Sequence, residues 1–202
     1  MKVLKFGGKS LANGQGIQTV VDIIDQKVKK GEHITVVLSA RGTSTDELEA
    51  ILEQAVKNEN YQEALDAFKK YQIADFGNVN FLEEFEILDK LFEGVSLLGD
   101  YSKRIKDQVL SQGEVISAKL VTHLLKERGV NAHFTDSREL IITDGQFGDA
   151  QPLDTLSKEN VVKHFEKYNG TTVNVVTGFI ASNAKNETTT LGRNGSNYRN
   201  RE

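Results

Sequence analysis

The chain reads as an α/β protein with a mainly parallel sheet flanked by helices, and three observations predict it. A short apolar stretch, Val3, Leu4 and Phe6, has the pattern of a buried strand and runs into Gly7 and Gly8. A helical period follows, and "HITVVLS" then reads as a second strand rich in β-branched residues. Strand, helix and strand in about forty residues make a βαβ unit, so the first two strands are expected to be parallel.

Each element carries its own signal. Ile17, Val20, Val21, Ile24 and Val28 recur at helical spacing, and Gly31 supplies a stop. After the loop "ARGTSTDE", Leu48, Ile51, Leu52, Ala55 and Val56 resume the period, with Ser44 to Glu47 fitting a capping box at the helix start. Residues 58–112 are almost wholly helical in pattern. There Phe81, Leu82, Phe85, Leu88, Leu91, Phe92 and Val95 form a stripe, predicting two or three helices over a sheet face or a partner. Another helix is expected over 111–129, strands at "VNAHF" and "LIITD", a helix near 157–168 and the strand "TVNVV". The stretch "GFIASNAKNETTTLG" closes the pattern as a hairpin turning at Asn183 to Asn186.

Composition narrows the function. A chain of 202 residues can bury a core as one domain or as most of a larger one. Its lack of cysteine excludes disulfides, thiolate metal sites and a cysteine nucleophile. A net charge of -4 argues against a general nucleic-acid binder, so an anionic ligand must be drawn by local cations. No apolar run has the length of a membrane span and no leader pattern opens the sequence, so a cytoplasmic location without membrane association is expected. His33, His123, His133 and His164 have no metal-ligand spacing, so each is read as a surface or satisfied histidine.

The stretch "KFGGKS" imitates the end of a P-loop. That motif needs a glycine five residues before Gly8, where this chain has Val3. The alternative is a strand end that carries Lys5 toward a Gly-Gly turn and presents charge and amides to an anion. The second strand ends in "LSARGTSTDE", whose small and hydroxyl-bearing residues fall where open α/β sheets bind ligands. "LSQGEVISAKLV" and "TGFIASNAKNETTTLGRNGSNY" complete the set.

Those four pieces, in that order, resemble the aspartokinase branch of the amino acid kinase family across essentially the whole chain. The asparagine in "LGRNGS" and the long helical insertion look most like the kinase part of a bifunctional aspartokinase/homoserine dehydrogenase. The resemblance implies an α/β/α sandwich and phosphoryl transfer from ATP to the side-chain carboxylate of L-aspartate, with Mg2+. The product is 4-phospho-L-aspartate, the first step toward lysine, threonine and methionine. Both reactants are anionic and the attacking carboxylate is already ionised, so such a site needs cations and amides and no general base.

By the same resemblance Lys5 lies against the transferring phosphate, while Gly7 and Gly8 let amides approach its oxygens. Ser10 and Ser39 are candidate hydroxyl donors to phosphate or aspartate, or simple turn hydroxyls. Lys9 stands where the family commonly has threonine and is either solvated or a phosphate contact. Glu114 accepts the ammonium of aspartate in the family reading; as the last residue of Ser111-x-x-Glu114 it also fits a capping box. Arg193 would hold a carboxylate of aspartate in a bidentate pair, as a planar guanidinium does. Asn197 stands where many aspartokinases place an aspartate that orients the lysine.

In the family the "GRNGSNY" turn leads to a helix and a second, nucleotide-binding half, whereas "YRNRE" closes this sequence. Residues 1–202 are therefore expected to be the N-terminal, aspartate-side portion only, with the insertion at about 58–112. The same expectation gives the fragment little turnover alone and makes self-association or the missing C-terminal half its partner. Another amino acid kinase activity, or a non-catalytic binding or assembly module, remains as an alternative.

Overall fold

Asn13 starts the first helix by accepting the N–H of Gly16 on its side-chain oxygen at 2.8 Å, and Gly31 ends the turn beyond it at φ +73°. The computed structural model describes residues 2–77, 79–168 and 173–192. They form β1 (Lys2–Phe6), α1 (Gly14–Lys29), β2 (Ile34–Leu38), α2 (Ser44–Val56), α3 (Tyr61–Ile73), α4 (Leu82–Leu98) and α5 (Lys103–Glu127). Then come β3 (Ala132–Thr135), β4 (Ile142–Thr143), α6 (Asp154–Lys167), β5 (Val173–Thr177), β6 (Ile180–Asn183) and β7 (Thr188–Thr190).

The main sheet has the order β1-β2-β5-β3 and every pairing in it is parallel, as the βαβ pattern predicts. Its inner strand β5 is buried along its whole length, as a parallel strand covered on both faces must be. β1 corrects the expectation of a buried strand. It is an edge, with Leu4 and Phe6 turned to the core while Val3 is 61% exposed on the other side. The hairpin β6-β7 forms as expected and gains β4 as a parallel neighbour, making a second, three-stranded sheet. "LIITD" therefore contributes only two strand residues, and they lie outside the main sheet.

The capping box expected at Ser44 to Glu47 is absent, and so is the one that Ser111 and Glu114 offered as an alternative. Thr43, not Ser44, holds the N-cap position of α2, with no side-chain bond to the helix backbone, and the hydroxyl of Ser44 is buried and accepts a 2.8 Å bond from Gln72 Nε2. α5 starts at Lys103 rather than near 111, capped by Ser102, whose hydroxyl accepts the N–H of Ile105 at 3.3 Å. Ser111 and Glu114 are thus deep inside a helix that Val109 and Leu110 already anchor in the core. Helices α3 and α4 pack on α2, and α4 also packs on α5. Phe92 and Leu88 are fully buried, and the rings of Tyr61 and Phe92 stack with centroids 6.0 Å apart.

Helices α3 and α4 share one core with the βαβ unit. Truncating Phe92 to alanine should therefore lower global stability by about 3–5 kcal/mol. Urea unfolding followed by circular dichroism checks this. A midpoint unchanged from wild type would mean that α4 contributes nothing to the common core.

Candidate functional site

The parallel sheet delivers its strands' carboxyl ends to one rim, and backbone bonds bind the turns beyond them. Ser39 N–H donates to Phe6 O at 3.2 Å, Gly42 N–H to Gly8 O at 2.9 Å, and Gly178 N–H to Leu38 O at 2.7 Å. Gly8 has no room for a side chain, since a Cβ there would stand 2.7 Å from Gly42 O and 2.8 Å from Ala40 O. At this rim opens a cavity of about 610 Å3. Gly8, Ser39 and Ala40 line it, together with Asp107 and Glu114 of α5 and with Phe179 and Thr190 of the hairpin region.

Glu114 is 2% exposed. One carboxylate oxygen, Oε1, accepts the N–H of Ala40 at 3.2 Å, while Oε2 has no hydrogen-bond partner among the described residues. Burial pushes its pKa up to about 8, only partly offset by the Ala40 bond. Gly113 makes the approach possible, because a Cβ there would lie 2.9 Å from the Ala40 Cβ. The capping reading of Glu114 is excluded by its place in mid-helix, and what remains is a desolvated acid facing a cavity.

Two features of the cavity, and a third in the loop beside it, escaped the sequence reading. Asp107 is 1% exposed and accepts from Gly148 N–H at 2.9 Å, Thr190 N–H at 3.1 Å and the Thr190 hydroxyl at 2.8 Å. It ties α5 to the hairpin; burial raises its pKa against the lowering effect of those bonds. Phe179 has φ +63°, a left-handed conformation costly for a bulky residue and common at binding sites. Arg41 is 1% exposed in the β2–α2 loop, where its guanidinium donates to backbone carbonyls. An arginine among small hydroxyl residues at a strand end was the one signal for it.

Of the residues singled out in the sequence, the structure brings Gly8, Ser39 and Glu114 together on the cavity wall. Lys5 is exposed on β1 opposite Val37, Gly7 is exposed, and Ser10 lies in a 3-10 turn over Gly8–Leu11, its N–H bonded to Gly7 O at 3.0 Å. None of these three lines the cavity. Arg193 and Asn197 lie outside the described residues; Gly192, next to Arg193 in sequence, is on the cavity wall. His133 stacks on Tyr168 at 4.1 Å, and among the described residues no cluster of three or more His, Asp and Glu is placed to hold a metal ion. No described helix is long and apolar enough to cross a membrane.

Fold and site together define an α/β domain with a cavity at the carboxyl ends of its parallel strands, the place where open sheets of this class bind ligands. Residues 1–198 match the amino acid kinase family, and the chain belongs to it. It is 33% identical over 205 residues to the lysine-sensitive aspartokinase 3 of Escherichia coli (strain K12), covering 97% of this chain and 44% of that protein. It is 30% identical over 213 residues to the bifunctional aspartokinase/homoserine dehydrogenase of Buchnera aphidicola, covering 98% of this chain and 26% of that protein. The crystal structure of E. coli aspartokinase III in complex with aspartate and ADP (R-state) matches with a TM-score of 0.85 at 32% identity. That match covers 98% of this chain and 45% of the other, so the chain spans less than half the length of these relatives.

The raised pKa of Glu114 has a stability consequence with a definite sign. Between the ordinary value of 4.5 and about 8, the folded chain holds a proton that the unfolded chain has released. Stability from this group therefore falls as pH rises through that window, by up to about 1.4 kcal/mol per pH unit. Glu114→Gln, which cannot ionise, should match wild type near pH 5 and exceed it increasingly toward pH 8. Melting temperatures across that range check this, and a constant difference between the two proteins would refute it.

Proposed function

We propose that this chain supplies the amino-acid side of an aspartate kinase, which transfers the γ-phosphoryl group of ATP to the side-chain carboxylate of L-aspartate. The observation that carries the reading is the unpartnered Oε2 of buried Glu114 beside a cavity at the rim of a parallel sheet. A desolvated carboxylate with one oxygen to spare suits an ammonium, and the pairing would return the ionised form that burial disfavours. Kinship with aspartokinases narrows the ammonium to that of aspartate.

In this reading Arg193 pairs with a carboxylate of aspartate, and Ser39 offers a hydroxyl at the same wall. Lys5, Gly7, Gly8 and Ser10 attend the phosphate, with Asn197 orienting Lys5 in place of the aspartate many relatives carry. A carboxylate oxygen of aspartate forms a bond to the γ-phosphorus as the bond to the ADP oxygen breaks, giving 4-phospho-L-aspartate and ADP. No proton has to move, so the contribution of these residues is alignment and neutralisation of negative charge. Mg2+ arriving with ATP would share that neutralisation. Residues 1–202 would form the aspartate side, with nucleotide contacts supplied by further chain or by association, in the cytoplasm.

Isothermal titration with L-aspartate, and with succinate as the analogue lacking the ammonium, tests the assignment. Glu114→Ala and Arg193→Ala should each weaken aspartate binding by about 1.5 to 3 kcal/mol, the range for a charge-assisted hydrogen bond. Succinate should bind wild type weakly and lose nothing further in Glu114→Ala. Equal aspartate affinity in wild type and both folded variants would falsify the roles given to these residues.

Binding should also depend on pH. Because free Glu114 holds its proton up to about pH 8, aspartate must displace it, so affinity should rise from pH 6 to pH 8 with proton release. Titration in buffers of different ionisation enthalpy measures the protons released. Wild-type affinity independent of pH over that range would contradict the pairing.

A further inference from the structure

In the β2–α2 loop Ser39 and Ala40 are followed by Arg41, and Arg41 ties this loop to two other segments through three carbonyls. Its Nε donates to Leu11 O at 3.3 Å, and its Nη1 to Tyr71 O at 2.8 Å and to Gln72 O at 2.9 Å. Leu11 ends the turn that begins at Gly8, and Tyr71 and Gln72 lie in the last turns of α3. The guanidinium carbon sits 4.5 Å from the centroid of the Tyr71 ring and 5.2 Å from that of Phe76. The Tyr71 hydroxyl donates in turn to Ala12 O, and a Cβ on Gly42 would stand 2.7 Å from that hydroxyl.

A buried guanidinium is costly, and burial lowers its pKa. Oriented carbonyls and two ring faces offset that cost only while all three segments hold their places. We infer that Arg41 and Tyr71 are positioning residues. They lock the glycine turn after β1 to the loop after β2, so that the phosphate side and the aspartate side of the proposed site move as one body. The helical insertion is then part of the alignment device, because α3 supplies two of the three carbonyls and the tyrosine. The link reaches the ligand through one peptide unit: Ala40, whose N–H meets Glu114, precedes Arg41. This inference rests on the aspartate reading for its ligand, and its test separates the two.

Hydrogen exchange by mass spectrometry on the 202-residue chain, with and without L-aspartate, reads the coupling. Tyr71→Phe keeps the ring over the guanidinium and removes only the bond to Ala12; Arg41→Lys keeps the charge and removes the fork. Aspartate should bind wild type and Tyr71→Phe within about threefold and slow exchange over residues 39–45 in both. Over residues 7–12 it should slow exchange in wild type and markedly less in either variant, where the bond from Gly42 N–H to Gly8 O still joins the two turns. Equal aspartate-dependent protection of residues 7–12 in wild type and Tyr71→Phe, or none in wild type despite binding, would overturn the inference. If aspartate does not bind wild type at all, the functional reading fails and the clamp is judged on the ligand-free chain in rising urea. There the two segments should open together in wild type, and residues 7–12 should open first in Tyr71→Phe; identical opening in both proteins would overturn it.

Discussion

The structure turns on one buried carboxylate. Glu114 is held at the carboxyl end of β2 by a single N–H, from Ala40, and nothing among the described residues meets its second oxygen. Burying an acid on these terms costs free energy, and folding alone gives no reason to keep it. Much of the local architecture serves the placement. α5 runs unbroken through the site, Gly113 lets it approach the Ala40 loop, and the parallel pairing of β1, β2 and β5 collects three turns around the same point.

Two other buried charges support that site by different means. Asp107 satisfies the hairpin and the Gly148 turn with accepted bonds, so α5 carries both the acid left open and the acid that fixes the opposite wall. Arg41 does the converse with donated bonds, tying the β1 and β2 turns to the end of α3. The contrast among the three explains their roles. Asp107 is met on both oxygens, by two backbone N–H groups and the Thr190 hydroxyl, and Arg41 donates to three backbone carbonyls, whereas Glu114 retains an acceptor with no partner among the described residues.

Local periodicity made most of the fold legible. The β-branched run of β2, the 3–4 spacing of Ile17 to Ile24 and the polar turn near Asn186 each specify an element without help from distant residues. What failed was context. The apolar character of β1 gave no sign that one face lies open at a sheet edge, and hydroxyl-x-x-Glu patterns at Ser44 and Ser111 matched caps that tertiary packing overrode. The candidate site was legible where backbone demands a residue type, as at Gly8, or where a motif carries the chemistry, as at Glu114. Arg41 and Asp107 were not, because their partners are distant in sequence and are mostly backbone atoms, which leave no pattern to read.

The most direct test of the account is the ionisation of Glu114 itself. The 13C chemical shift of its side-chain carboxyl, followed through a pH titration with and without L-aspartate, reports the group at issue and no other. The account predicts a midpoint near 8 in the free chain, and in the complex a carboxylate that stays ionised well below that value. A free-chain midpoint at the ordinary value near 4.5, or a midpoint that saturating aspartate leaves unmoved, would contradict it.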